Sequence, residues 1–409
     1  STVDGNINDV TIDGGTITLN GTIATAVLGG SGGSASTDLG VVDINGAVSL
    51  GGATTIETSA TGKNAAIDFS STINGDKALV IKSGSGAVNV TTAIGGLTAL
   101  SSLDINGTSS TGTIEVNDIG TSSASGVTGL TVLGNANTSS LTTDGTNYDF
   151  GGGITIGPDF TMVGSPLNNS FTTSGNVSFG GDVTVDGTLT VNTSGGNISI
   201  AGNITSTGKD EVVSLSDGTG TGTITLGGTV TSGDITLIGD SGISIAGDIT
   251  SNKDGAAGAI ALTGPVTLTG NVIVTADDHA DSTITFNSTS TVNASSSGGQ
   301  SLTLDTDAGA IAMQGAIGGS TALNALTVNN DGAGTIEITN IGTSSAAGVT
   351  GATAIGNTNT GTLTLDGTVY KTTAGQTYTA ASGQNIDITN TSGTTFTTTN
   401  TAVAFNTSG

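Results

Sequence analysis

Residues 198–204 read ISIAGNI, and residues 243–249 read ISIAGDI. Apolar side chains stand first, third and seventh, and a small residue stands fifth. Period-two alternation over so short a span, broken by Gly and by Asn or Asp, predicts a strand with one buried face, then a bend, then a second strand. The same template fits ITLNGTI from Ile17, VDINGAV from Val42, ITIGPDF from Ile154, VSFGGDV from Val177, ITLGGTV from Ile224 and LTLDGTV from Leu363. Where the matches are dense they recur at steps of about 17 to 27 residues, which is the range of a repeat architecture.

No segment offers the glycine-free run of good helix formers that a helix needs. The expectation is therefore an all-β chain, a parallel β-helix (β-solenoid) of about nineteen coils. It would run through residues 1–409 as one continuous body. Strands pair between successive coils, so inward Ile, Val and Leu should form columns of like on like. The glycine at each bend should turn a corner where a Cβ would clash.

A longer repeat lies above the first. The block Ala93–Tyr148 returns as Ala316–Tyr370, its tyrosines 222 residues apart. Upstream, the 46–69 segment is echoed by the 264–286 segment, so that roughly 42–150 resembles 260–372. Duplication on this scale favours a scaffold over an active site, because catalysis seldom needs two near-copies of one edge.

Composition narrows the function classes. Only 3% of the 409 residues are aromatic and 9% charged, 69 are glycine, and there is no tryptophan or cysteine, which is not the makeup of an ordinary enzyme domain. Regularly spaced apolar positions argue against a disordered tract. The formal charge is -26, and every positive side chain is a lysine: Lys63, Lys77, Lys82, Lys209, Lys253 and Lys371. Nucleic-acid binding needs phosphate neutralisation and guanidinium forks, so no nucleic acid is expected as a partner. Anionic membranes are unfavourable for the same reason, and no apolar run approaches spanning length, so no membrane insertion is expected. Without cysteine there is no disulfide or thiolate chemistry. The first residues, STVDGNINDV, carry no leader pattern, so the sequence reads as a mature product or a piece of a larger one.

The Gly, Asn and Thr-rich coils, the 367–400 segment and the block GTIEITNIGTSSAAGVTG from Gly334 resemble the repeat regions of large bacterial secreted adhesins of the filamentous-haemagglutinin and autotransporter type. The likeness covers most of the chain and is one of style, without signature residues. It implies a right-handed β-helix exported across a Gram-negative envelope to the cell surface or beyond. The secretion domain and membrane barrel of such proteins are not visible here, which leaves a matrix or filament subunit as well.

The most chemical-looking stretch is TADDHADST, where Asp277, Asp278, His279 and Asp281 offer oxygen and nitrogen ligands for a metal, or an acid and base. The favoured reading is a solvated loop between two strands, since in the matching stretch of the first copy, TSATGKNAAID, the corresponding positions have lost every ligand. Calcium is the one cofactor the acidic turns around Asp144, Asp149, Asp331 and Asp366 would suit, although Asp-Gly is also ordinary turn chemistry. Polysaccharide-degrading β-helix enzymes are the enzyme alternative. Lyases of that group use an arginine or lysine base and this chain has no arginine; the hydrolases carry Gly-His-Gly near paired aspartates, whereas His279 lies between Asp278 and Ala280. Tyr148, Tyr370 and Tyr378 fall near expected loops, where they would either stack on sugars or pack the core. The expected function is a non-enzymatic structural protein, a filament, matrix or adhesive-stalk subunit whose partners are copies of itself end to end. The alternative is an adhesin whose loops bind glycans or a host surface.

Overall fold

In the computed structural model ISIAGNI folds as its pattern predicts: Ile198–Ile200 is a strand, 201–203 a bend, and Ile204–Ser206 the next strand. The structure describes residues 9–25, 40–59, 65–108, 110–163, 167–218, 220–253, 255–276, 279–330 and 332–407. Among them are 41 strands and no helix, hence no helix long and apolar enough to cross a membrane. The chain divides into two units, Ser1–Gly196 and Asn197–Gly409, and one copy of the long repeat falls in each.

Each coil carries three strand positions. In the first unit the long strand Val42–Glu57 bends through all three, and the next coil pairs with it in parallel three times, Val42↔Ile67, Val48↔Ile73 and Thr54↔Leu79. In the second unit Ile198–Ile200, Ile204–Ser206 and Val212–Ser216 are followed by Ile224–Leu226, Val230–Ser232 and Asp234–Ile238, again parallel and in register. One residue of each strand pair points inward and stacks on its like. Ile198, Ile224, Ile243, Val266 and Val292 make one column, each 1% exposed or less. Every inward aliphatic of this kind contributes about 1.5–3 kcal/mol by leaving water. The structure is thus the expected parallel β-solenoid.

The coil number is lower than expected. The ladder through Val10, Val42, Ile67, Val88, Ile114, Leu141, Phe160 and Val183 has eight layers among the described residues. That through Ile204, Val230, Ile249, Val274, Leu304, Val328, Ile355, Tyr378 and Phe405 has nine. The sequence estimate of nineteen rested on steps of about 17 to 27 residues. The real step varies from 19 residues (Leu141↔Phe160) to 33 (Gly21↔Thr54), because excursions between strands lengthen a coil without adding a layer.

The bend glycines work across coils. A Cβ on Gly228 would lie 2.5 Å from the carbonyl oxygen of Gly202, and one on Gly247 would lie 2.5 Å from that of Gly228. These three occupy the fifth position of successive phrases. Their side-chain-free column lets one corner rest on the backbone of the corner before it. Left-handed glycines recur in matched pairs of the long repeat: Gly95 and Gly318 (φ 70° and 65°), Gly120 and Gly342 (82° and 75°), Gly134 and Gly356 (69° and 75°).

Candidate functional site

Asp277 and Asp278 lie outside the described residues. The other two members of the predicted cluster form a local turn: the Asp281 amide donates to His279 Nδ1 at 3.1 Å, and the Ser282 amide donates to the His279 carbonyl at 2.9 Å. The His279 and Asp281 side chains are 37% and 84% exposed and stand 3.9 Å apart. With Nδ1 engaged as an acceptor, only Nε2 is free to meet a ligand. Among the described residues no three of His, Cys, Asp and Glu come together to hold a metal ion. Of the acidic turn residues, Asp144 accepts from Asn117 Nδ2 at 3.1 Å and Asp149 from Ser125 Oγ at 2.9 Å. Asp331 lies outside the described residues, and Asp366 has a buried Oδ1 without a hydrogen-bond partner.

Several described turn carboxylates and amides do something the sequence reading missed. At a corner the strand ladder is interrupted, and a side-chain oxygen of one coil takes the amide of the next. Asn203 Oδ1 accepts from the Thr229 amide and hydroxyl (2.9 and 3.0 Å), Asp248 Oδ1 from the Ile273 amide (2.8 Å), and Asp159 Oδ1 from the Asp182 amide (2.9 Å). Asp118 accepts two amides, Thr146 and Asn147, and its counterpart Asn340 accepts Thr368 and Val369. These corners are exposed, and each clamp gives an amide that the strand ladder leaves over a partner on the neighbouring coil. The signal was present: Asn203, Asp159 and Asp248 all hold the sixth position of the seven-residue phrase. Asn106, within one Asn-x-Ser/Thr tripeptide, is fully buried and exchanges two 2.8 Å bonds with Ser83, so it offers no surface for modification in the folded chain.

The tyrosines prove to be core residues. Tyr148, Tyr370 and Tyr378 are 0% exposed, and burial raises each phenol above its ordinary range. Tyr370 Oη donates to the Ile338 carbonyl at 2.7 Å and accepts from the Gly367 amide at 3.0 Å. Tyr148 repeats this with Val116 at 3.5 Å and Gly145 at 3.1 Å. Beyond each tyrosine the rings stack alike. Tyr148 lies on Phe171 (4.8 Å, 17°), which meets Phe179 edge-on (5.6 Å, 75°); Tyr370 lies on Phe396 (4.9 Å, 13°), which meets Phe405 edge-on (5.1 Å, 87°).

The two aromatic groups differ in cover. Phe160, Phe171 and Phe179 are at most 1% exposed, whereas Phe405 is 46% and Ile388 50% exposed. The exposed pair borders an open depression of about 430 Å³ lined by Gln384, Asn385, Ile386, Asp387 and Thr407 besides themselves. Each of the strands Ile386–Ile388, Thr395–Thr397 and Val403–Thr407 has a single pairing partner among the described residues. Their outer edges present unpaired backbone groups, the ordinary template for strand addition. No family model, curated protein or solved structure matches this chain.

Proposed function

We propose that this chain is a non-enzymatic structural protein of the bacterial exterior, a filament, matrix or adhesive-stalk subunit built by stacking solenoid coils. The observation that carries the reading is the long repeat. Its two copies reproduce the same tyrosine lock, the same left-handed glycines and the same corner clamps, one set in each unit. Repetition at this level adds layers of one kind, which is how a spacer gains length, and the side chains it preserves face the core or the neighbouring coil. The acidic surface suits a long soluble body, since like charge keeps such surfaces apart. Secretion to a Gram-negative cell surface belongs to the same proposal and rests on the adhesin-like style of the repeats.

Negative-stain electron microscopy of the purified chain, with and without millimolar calcium, tests this. Rods or filaments of uniform width are expected, together with no turnover of acidic polysaccharides. Rounded particles, or turnover that disappears in Asp278→Ala, would overturn it.

A further inference from the structure

We infer that the exposed edge of strands Ile386–Ile388, Thr395–Thr397 and Val403–Thr407 is the seat of a second copy of this chain, which adds its strand Val10–Ala24 there in parallel. The inference rests on the structural reading above and names the contact that would extend it.

The first unit shows how such an edge is closed. There Phe160 pairs with Val183, and Phe171 pairs with Val191, so the segment Asp182–Asn192 lies over these two rings of the aromatic group. That segment reads DVTVDGTLTVN. Residues 9–20 read DVTIDGGTITLN. With one inserted glycine the two align over eleven positions, eight of them identical and the remaining three exchanges among Val, Ile and Leu. The chain therefore carries, in its first described strand, a second version of the coil that covers an aromatic group of this kind.

The ring geometry fixes the register. Phe396 stands to Tyr370 and Phe405 as Phe171 stands to Tyr148 and Phe179. Phe171↔Val191 in the first unit then corresponds to Phe396 over Leu19 of the second copy, and Ser170↔Thr190 to Thr395 over Thr18. Val10 and Ile12 fall over Ile386 and Ile388, as Val183 falls over Phe160. Asn385 takes the place of Asp159, which clamps the Asp182 amide, and would receive that of Asp9. Strand Val10–Ala24 is suited to this addition: it pairs with Val42–Glu57 alone among the described residues, and Ile12 and Ile23 on it are only half-buried. Strand addition contributes main-chain hydrogen bonds along the whole edge, while the alternate apolar side chains select the register. The contact is head to tail and heterologous, so successive copies extend without closing. Asp9 and Asp13 on one side and Asp387 on the other repel, so salt should favour it.

The chain has no cysteine, which makes the test direct. Two full-length single variants, Thr18→Cys and Thr395→Cys, are mixed under mild oxidation. Neighbouring positions of parallel strands lie within disulfide reach, at about 5 Å between Cα atoms. A heterodimer is expected at least tenfold above that formed by Thr22→Cys with Thr395→Cys, with a yield that rises with salt. Equal yields from the two mixtures, or none from either, would overturn the contact. Circular dichroism checks that each variant is folded; if Thr18→Cys is not, Asn20→Cys with Thr397→Cys is the next pair in the same register. Rods or filaments of the parent chain without the heterodimer would overturn this contact alone. Rounded particles would overturn the structural reading itself.

Discussion

Replacing Tyr370 by Phe removes one oxygen and nothing else from the core. The ring stays stacked on Phe396, so no cavity opens. Two bonds disappear, one 2.7 Å donation to Ile338 and one 3.0 Å acceptance from Gly367. The Ile338 carbonyl keeps the Asp366 amide at 3.3 Å, so it is weakened and not orphaned. The Gly367 amide loses its acceptor. A buried donor without a partner costs about 1–3 kcal/mol and an ordinary bond about 1 kcal/mol, so a loss of about 2 kcal/mol is expected. The unit Asn197–Gly409 falls in the size range where that lowers a thermal midpoint by roughly 4–8 °C. Tyr148→Phe should cost less, because its donated bond is already stretched to 3.5 Å. Thermal unfolding followed by circular dichroism gives the midpoints, and hydrogen exchange gives the protection of the Gly367 amide. A Tyr370→Phe midpoint within 1 °C of the parent, with that amide still protected, would refute the lock.

Gly247→Ala places a methyl against the Gly228 carbonyl, with backbone on both sides, and should cost about 2–3 kcal/mol. Gly383→Ala meets open space and only the strain of φ +77°, about 1 kcal/mol, so denaturant midpoints should rank the two variants in that order. Asn203→Ala should lose about 1 kcal/mol and Asn203→Asp much less, since only the amide-accepting oxygen matters. Asp217 is fully buried, and neither of its oxygens meets a donor at full hydrogen-bond geometry, although the Asp240 and Ser241 amides lie close by. Burial raises its carboxyl above the usual range; the Asp240 and Ser241 amides oppose this and the Asp240 charge adds to it. A raised folded-state value means the native state holds the proton more tightly, so stability declines as pH climbs from the unfolded-state value, about 3.9, through the folded one. Asp217→Asn should therefore stabilise by about 1–2 kcal/mol at pH 7 and by almost nothing at pH 3, measured from urea midpoints at both. Millimolar chelator should leave the parent's midpoint unmoved; a fall would give a bound cation a structural role.

Particular residues show where sequence reading stopped. Ile198, Ile200 and Ile204 announced strand, bend and strand because alternation on a pleated strand has a period of two, a purely local fact. The glycine in between was recognised as necessary, but for a turn of its own backbone; its real constraint is the carbonyl of a corner one coil away. The sixth-position Asn203, Asp248 and Asp159 were visible in the quoted phrases and passed for turn chemistry, because their partners lie some 23–26 residues on and no local rule links them. Tyr370 was read as lying near a loop, yet Gly367, three residues before it, gives its amide to the phenol.

The amino-acid sequence by itself determined the class of fold, the two-tier repeat and the exclusion of arginine-dependent partners, since each follows from composition or from spacing within a few dozen residues. Which layers meet was decided by the tertiary structure alone. It set the number of coils, decided for the core between the two readings of Tyr148, Tyr370 and Tyr378, and left the Phe405 edge bare while the matching edge in the first unit is covered. The physical reason is that pairing in a solenoid joins residues 19 to 33 apart with a step that changes at every turn, so register emerges only when the coils are stacked.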